Sequence, residues 1–180
     1  MMPQALSTPK GDITIRIATQ ADATELFKLR MEALTFHPEA FAADVEMTKT
    51  RGVEAWVSQI TNESKNQSGV IVIACTRDEL IGMTGVGRGH WPKTQHSAIV
   101  WGVYVTPAWR GQHVAEGILE ECIRWAGENS IVVLKLGVVT TNQAAIHCYQ
   151  HAGFTIYGTE PKSNYLDGKY YDEYLMAKLI

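Results

Sequence analysis

The stretch Val103-Tyr104-Val105-Thr106-Pro107-Ala108-Trp109-Arg110-Gly111-Gln112-His113-Val114-Ala115 decides the fold. It starts at the end of an apolar, β-branched run, Ala98–Val105, and turns at Pro107, which has no N–H to give to a ladder. It then enters a helical pattern in which Val114, Ile118, Leu119, Cys122, Ile123 and Ala126 recur on one face. The stretch therefore predicts a strand, a tight turn and a helix over about residues 110–127. The first amides of such a helix lack intrahelical partners, and with the helix dipole they form an anion site. Gly111 lets a bulky anion approach the backbone, and Arg110 brings a charge that forks onto phosphate oxygens. A pyrophosphate fits this cradle, whether from a dinucleotide, a mononucleotide or coenzyme A. The same residues also suit a plain turn with a solvated arginine, and the Gly-Lys-Ser/Thr ending of an NTPase loop is missing.

Upstream, Gly69–Cys75, Leu80–Gly89 and Ala98–Val105 read as three strands. The links Arg77-Asp78-Glu79 and Trp91-Pro92-Lys93-Thr94 are too short for crossovers, so the strands form an antiparallel meander. The glycines at 82, 85, 87 and 89 fall inside a predicted strand and point to close backbone packing rather than phosphate binding. Further upstream, Ile13-Thr14-Ile15-Arg16-Ile17 alternates as a half-buried strand. Thr19 is placed to cap a helix through Ala23, Leu26, Phe27, Arg30 and Leu34, and a second helix covers about residues 52–62. The first eleven residues, polar and containing Pro and Gly, read as a flexible tail.

Downstream, Ile131–Val139 is a buried strand, Asn142–Ala152 a short helix, and Phe154–Thr159 and Tyr170–Leu179 two further strands. The predicted order is β α α β β β α β α β β. That is a mixed α+β chain with a predominantly antiparallel sheet of about seven strands, about four flanking helices and a single domain over residues 1–180.

The chain has 180 residues, 46% hydrophobic and 19% charged, a globular composition that excludes a disordered interaction segment. Sixteen Lys and Arg against nineteen Asp and Glu give a net charge of −3, which is no footprint for nucleic acid or an anionic membrane. Three widely spaced cysteines without a Cys-x-x-Cys pair argue against a disulfide framework or zinc ribbon and fit a reducing compartment. The N-terminus has no apolar signal-peptide core, and no apolar run approaches the ~20 residues of a membrane span. The expectation is a soluble cytoplasmic protein.

Asn142 and Tyr149 lie seven residues apart on the predicted helix, close to two turns, so they share a face about 10 Å apart along the axis. Asn142 suits an N-cap and Gly153 the C′ position. On the residues alone, Asn142 serves as a cap and Tyr149 as packing.

Two patterns now stand together. Val-x-Pro-x-x-Arg-Gly followed by an amphipathic helix resembles the acyl-CoA-binding loop of the GNAT (GCN5-related N-acetyltransferase) superfamily. Asn142-Gln143-Ala144-Ala145, Tyr149 and Gly153-Phe154 are similar to that family's Asn-x-x-Ala-x-x-x-Tyr-x-x-x-Gly-Phe pattern. The resemblance runs from about Ile13 to Leu179.

It implies an N-acetyltransferase that moves an acetyl group from acetyl-CoA, its co-substrate, to a primary amine of a small molecule or peptide. Transfer would be by direct attack in a ternary complex, without a metal. It places the cofactor diphosphate on Arg110, Gly111, Gln112, His113, Val114 and Ala115, and the pantetheine along Val103, Tyr104 and Val105. Asn142 and Ala145 would lie beside the pantetheine, with Tyr149 as general acid for the departing thiolate. The strand ending at Val105 and the strand starting at Ile131 should splay apart, and a backbone N–H in the gap would take the oxyanion. The resemblance also implies pairing through the C-terminal strands, a homodimer.

Two departures stand out. His113 occupies a position where the family loop has glycine, so its imidazole must point away from the pyrophosphate. The strand Ala98–Val105 carries no carboxylate, and Ile99 stands where many relatives have a glutamate. The base that deprotonates the amine therefore falls among Glu32, His96 and Glu173. These departures keep a non-catalytic acyl-CoA-binding sensor open as a second reading. A dinucleotide module is disfavoured, because no acidic ribose ligand follows the loop at the expected spacing. His147 and His151 have i,i+4 spacing but no third metal ligand in view, and Cys148 reads as packing. The acceptor would meet the two N-terminal helices, the segment His37–Phe41 between them and the loop around residues 161–171.

Overall fold

In the computed structural model, which describes residues 3–180, eight strands form one sheet in the order β1-β2-β3-β4-β5-β6-β8-β7. They are β1 (Gln4–Thr8), β2 (Gly11–Ile17), β3 (Gly69–Cys75), β4 (Leu80–Arg88), β5 (Ser97–Val105), β6 (Val133–Val139), β7 (Thr155–Leu166) and β8 (Lys169–Leu179). The helices are α1 (Ala23–Phe36), α2 (Val45–Asn66), α3 (Val114–Glu128) and α4 (Gln143–His151). All neighbouring strands are antiparallel except β5 and β6. The predicted order and the meander β3-β4-β5 are found.

Three local expectations are corrected. Residues 4–8, expected in a flexible tail, pair with β2 from Gln4↔Ile15 to Thr8↔Gly11 and raise the strand number to eight. Helix α2 begins at Val45 rather than near residue 52, because Asp44 caps it by accepting from the Met47 amide at 2.6 Å. Gly52, with φ 65°, breaks that helix instead of starting it. Strand β7 runs on to Leu166, well beyond residue 159.

The sheet is covered on both faces, which is why β3 is buried along nearly its whole length. Val70, Val72 and Ala74 face the cluster that contains Ile118, Leu119, Cys122 and Trp125 of α3. Ile71 and Ile73 face the opposite cluster, with Leu26, Leu29 and Ala33 of α1 and Trp56 and Ile60 of α2. Each fully buried aliphatic side chain contributes roughly 1.5–3 kcal/mol. Glycines in β4 admit two of the bulkiest neighbours. A Cβ on Gly85 would fall 2.1 Å from the Trp101 ring, and one on Gly82 would fall 2.8 Å from Ile118 Cδ1.

Near the start of α1, Arg16 and Asp22 form an ion pair at 2.7 Å, and Asp22 also accepts from the Thr19 amide and hydroxyl. These donors, Arg16 first, hold the Asp22 carboxyl down at about 2. Among the described residues, no helix is long and apolar enough to cross a membrane.

Candidate active site

Strands β5 and β6 pair only at Ser97↔Val133, Ala98↔Leu134 and Ile99↔Lys135. Beyond Ile99 they part, while β6 stays paired with β8 through Val139↔Glu173. The expected splay is therefore present. One edge of β5 from Val100 to Val105 is left open, about 20 Å of strand at ~3.3 Å per residue. A cavity of about 510 Å³ fills the notch.

The open strand also bulges. Met83 pairs with Tyr104 but Gly85 pairs with Trp101, so β5 carries an extra residue there. Gly102 absorbs it with φ 67°, and the buried Thr84 hydroxyl donates to the Trp101 carbonyl at 3.0 Å. The bulge turns backbone toward the cavity at the middle of the notch. Glycine in the most apolar strand of the chain was a sequence signal for it.

At one end of the cavity lies the N-terminus of α3. The first internal bond of this helix runs from the Gly117 amide to the His113 carbonyl, so the preceding amides have no helical acceptor. Gly111, with φ 73°, has no atom within 4 Å of a would-be Cβ, which leaves room for a ligand against the backbone. His113 takes up a left-handed conformation, φ 58° and ψ 20°, which favours glycine. Its side chain is 79% exposed and its Nδ1 lies 3.3 Å from Glu116 Oε1.

Arg110 is engaged by the protein itself. Its Nε donates to the Val105 carbonyl at 3.1 Å, its Nη2 lies 2.9 Å from His37 Nε2, and its guanidinium stands 5.7 Å from the Tyr104 ring. Tyr104 in turn donates to Glu32 at 2.9 Å, and burial, reinforced by that carboxylate, pushes its phenol up to about 12. Arg110 thus fixes the turn through its Nε, with the rest of the guanidinium on the cavity wall.

At the opposite wall, Asn142 Oδ1 accepts from the Ala145 amide at 3.1 Å and caps α4. Gly153 ends the helix with φ 89°. Tyr149 is 7% exposed, and burial drives its phenol pKa upward, so it stays a proton donor at neutral pH. The neighbouring Cys148 thiol is pushed up to about 12, mainly by burial, which removes it as a thiolate nucleophile.

Of the residues singled out in the sequence, Val103, Tyr104, Val105, Arg110, Gly111, His113, Val114, Ala115, Asn142, Ala145 and Tyr149 all line this one cavity. Gln112 does not. His37 and Phe41, from the segment between α1 and α2, line it as expected. The sequence did not reveal Gly102, Gly137 or the contact between His37 and Arg110, which joins residues 73 positions apart.

Among the base candidates, His96 lies at the far end of β5, about 20 Å of strand from Gly102. Glu32 is engaged by Tyr104. Glu173 accepts from Ser163 Oγ at 2.9 Å and Asn164 Nδ2 at 3.2 Å. Its Oε2 stands 2.9 Å from where a Gly137 Cβ would be, behind the β6 wall of the notch. Among the described residues, no three His, Cys, Asp or Glu side chains gather as metal ligands, and His151 Nδ1 lies 3.1 Å from the His147 carbonyl oxygen.

An acetyltransferase of the GNAT family from Streptococcus pneumoniae superposes with a TM-score of 0.79 at 26% identity, covering 93% of this chain and 99% of that one. The putative acetyltransferase yncA of Salmonella typhimurium, solved with its cofactor acetyl-CoA, shares the fold with a TM-score of 0.81 at 19% identity, covering 93% of each chain. In sequence, the L-amino acid N-acetyltransferase AaaT of Escherichia coli K12 is 30% identical over 112 residues, which cover 60% of this chain and 67% of that one. The chain spans between 36% and 67% of the length of the curated relatives it matches. The model of the acetyltransferase (GNAT) family matches residues 25–154, from α1 to the end of the Gly153-Phe154 pattern, and so takes in both the cradle at α3 and the cap of α4. With the splayed strands, the bulge and both motifs around one cavity, the chain belongs to the acetyltransferase (GNAT) family.

Proposed function

We propose that the protein transfers an acetyl group from acetyl-CoA to a primary amine by direct attack in a ternary complex. The observation that carries this reading is the notch. An open strand edge with a bulge at its middle runs between a helix N-terminus that suits a diphosphate and a buried tyrosine that stays protonated.

In this reading the free amides ahead of Gly117 and the space over Gly111 hold the diphosphate, with Arg110, Gln112, His113, Val114 and Ala115 shaping the turn. Val103, Tyr104 and Val105 present backbone groups to the pantetheine in the manner of an added strand, with Asn142 and Ala145 on its other side. Acetyl-CoA brings the thioester. A backbone N–H at the bulge faces the charge that develops on its carbonyl oxygen, the kind of preorganised donor worth about 10²–10³ in rate. Tyr149 gives its proton to the departing sulfur, and Glu173 takes one from the incoming amine through water beside Gly137. Orientation of the two substrates supplies much of the remaining acceleration. The name of the E. coli relative supports a small amine as acceptor. Three free cysteines support a cytoplasmic setting.

The test is calorimetric titration of the protein with acetyl-CoA, with CoA and ATP as controls, followed by a thiol-release assay over a panel of amines. Micromolar binding and turnover of at least one amine are expected. Absence of binding at millimolar acetyl-CoA would overturn the reading. Binding without turnover of any amine would turn it into an acyl-CoA sensor.

A further inference from the structure

Arg30 sits where a charge is least expected. It lies one turn from Leu26 and one from Leu34 on α1, both of which are fully buried. Its Nη1 is buried and has no hydrogen-bond partner, and no carboxylate pairs with the side chain among the described residues. Its guanidinium lies over the Phe41 ring, whose centroid is 4.6 Å from Cζ. Burial depresses its pKa to about 10. The nearby Glu32 accepts from Tyr104 instead. A partly buried cation without a counter-charge, one of its nitrogens sealed and unpartnered, is costly, and neither a carboxylate nor a hydrogen-bonded network meets it among the described residues.

The direction of the side chain says what would complete it. Nη1 lies 3.4 Å from the point a Cβ of Gly102 would occupy. Gly102 and Phe41 both line the cavity, so the guanidinium stands directly behind its wall, at the bulge residue that has no side chain of its own. The residue as a whole is half-buried, and Nε and Nη2 are not sealed off as Nη1 is. A planar fork of this kind suits a carboxylate. Gly102 is adjacent to Val103, at the centre of the open edge. An anion held there has its neighbouring atoms within a few ångströms of the bulge.

We propose that Arg30 is the acceptor-binding residue that recognises a carboxylate, and that the acceptor is therefore an amino acid, whose carboxylate is one carbon from the amine. The inference rests on the acetyltransferase reading and adds the substrate class to it. Arg30 fixes which amine is presented, and Phe41 shields the ion pair from water. An amine without the carboxylate leaves the guanidinium unpaired in the complex, as it is in the free protein.

The experiment measures thiol release at saturating acetyl-CoA for the common L-amino acids, each compared with its amide and its decarboxylated amine. Acids are expected to exceed their amides in kcat/KM by about 100-fold for the preferred side chain, mostly through KM. In Arg30→Met, and less completely in Arg30→Lys, that preference should collapse toward one, while calorimetry still reports acetyl-CoA binding. The comparison in the unmodified protein needs no variant to fold. Amides or plain amines accepted as well as acids would overturn the inference and leave the acetyltransferase reading intact. An Arg30→Met that slows acids and amides alike would do the same, as would acetyl-CoA binding with no acid turned over. Failure to bind acetyl-CoA at all would remove both.

Discussion

The Arg110 guanidinium reaches His37 Nε2 at 2.9 Å, tying the turn ahead of α3 to the segment that joins α1 and α2. Arginine only donates, so His37 accepts at Nε2 and carries its proton on Nδ1, which faces Glu39 Oε1 at 3.8 Å. In the proposed function, the contact couples the diphosphate end of the cavity to the acceptor side. Arg110→Ala is expected to weaken acetyl-CoA binding about tenfold, and His37→Ala less. The double variant should be non-additive by about 1 kcal/mol in a calorimetric cycle. Strictly additive losses would show that the contact contributes nothing.

His113 holds a left-handed backbone conformation at the mouth of the cradle. His113→Gly removes the steric penalty at a cost in unfolded-chain entropy, for a net gain of about 0.5–1 kcal/mol. Denaturant unfolding should show that gain, with acetyl-CoA affinity equal or higher. A loss of affinity would mean that the imidazole itself contacts the ligand.

Gly85 and Gly87 sit two residues apart in β4 yet face different surroundings. A methyl group on Gly85 meets the Trp101 indole at 2.1 Å, whereas on Gly87 the nearest atom is Trp101 Nε1 at 3.9 Å. Gly85→Ala should cost more than about 2 kcal/mol, because the displaced indole packs near Trp56. Gly87→Ala should fall between neutral and about 1 kcal/mol stabilising. Thermal unfolding of the pair checks both signs.

Tyr149 and Cys148 adjoin in sequence and differ in expected consequence. If Tyr149 protonates the departing sulfur as proposed, Tyr149→Phe should lower kcat by about 10–100-fold with little change in acetyl-CoA binding. Cys148→Ala should stay near the unmodified rate, since burial pushes the thiol up to about 12 and leaves it protonated at neutral pH. Steady-state kinetics on the two variants, with intact-mass measurement for any acetyl-cysteine, separates direct attack from a covalent route.

Asp22 links fold stability to acidity. Its folded pKa, about 2, lies below the ordinary 3.8, so its contribution is complete above about pH 4 and is lost as pH falls through 2. That contribution is about 2 kcal/mol. Asp22→Asn should lower stability at neutral pH by a comparable amount and flatten the acid limb of a pH–stability profile. An unchanged acid limb would show that the Arg16 pair adds nothing to folding.

What was legible in the sequence follows from what leaves a pattern there. Strands buried on both faces, such as β3, and helices with one apolar face, such as α3, announce themselves by composition and period. Strand β1 did not, because Leu6 is its single large apolar residue and its pairing depends on a two-residue turn at Pro9-Lys10. The end of β7 was missed for a similar reason. It is an exposed edge with a register shift between Glu160 and Asn164, so no alternation survives. The cavity residues came from two local motifs, whereas Arg110 on His37 and Arg30 behind Gly102 are contacts between distant segments. Arg30 nevertheless left a trace, a charge at helical spacing among apolar residues.

The three rungs between β5 and β6 have a consequence for the molecule as a whole. The eight strands are two rafts, five strands and three, moored at one end and drifting apart at the other. In the proposed function, acetyl-CoA laid along the open side of β5 serves as a missing plank, held by main-chain groups of β5 and facing Asn142 and Ala145 across the notch. Its occupancy then shows up as heat resistance, about 2.7 kcal/mol at a hundredfold excess over Kd. In a cell, the supply of the proposed acyl donor would then set how firmly the two rafts are lashed together.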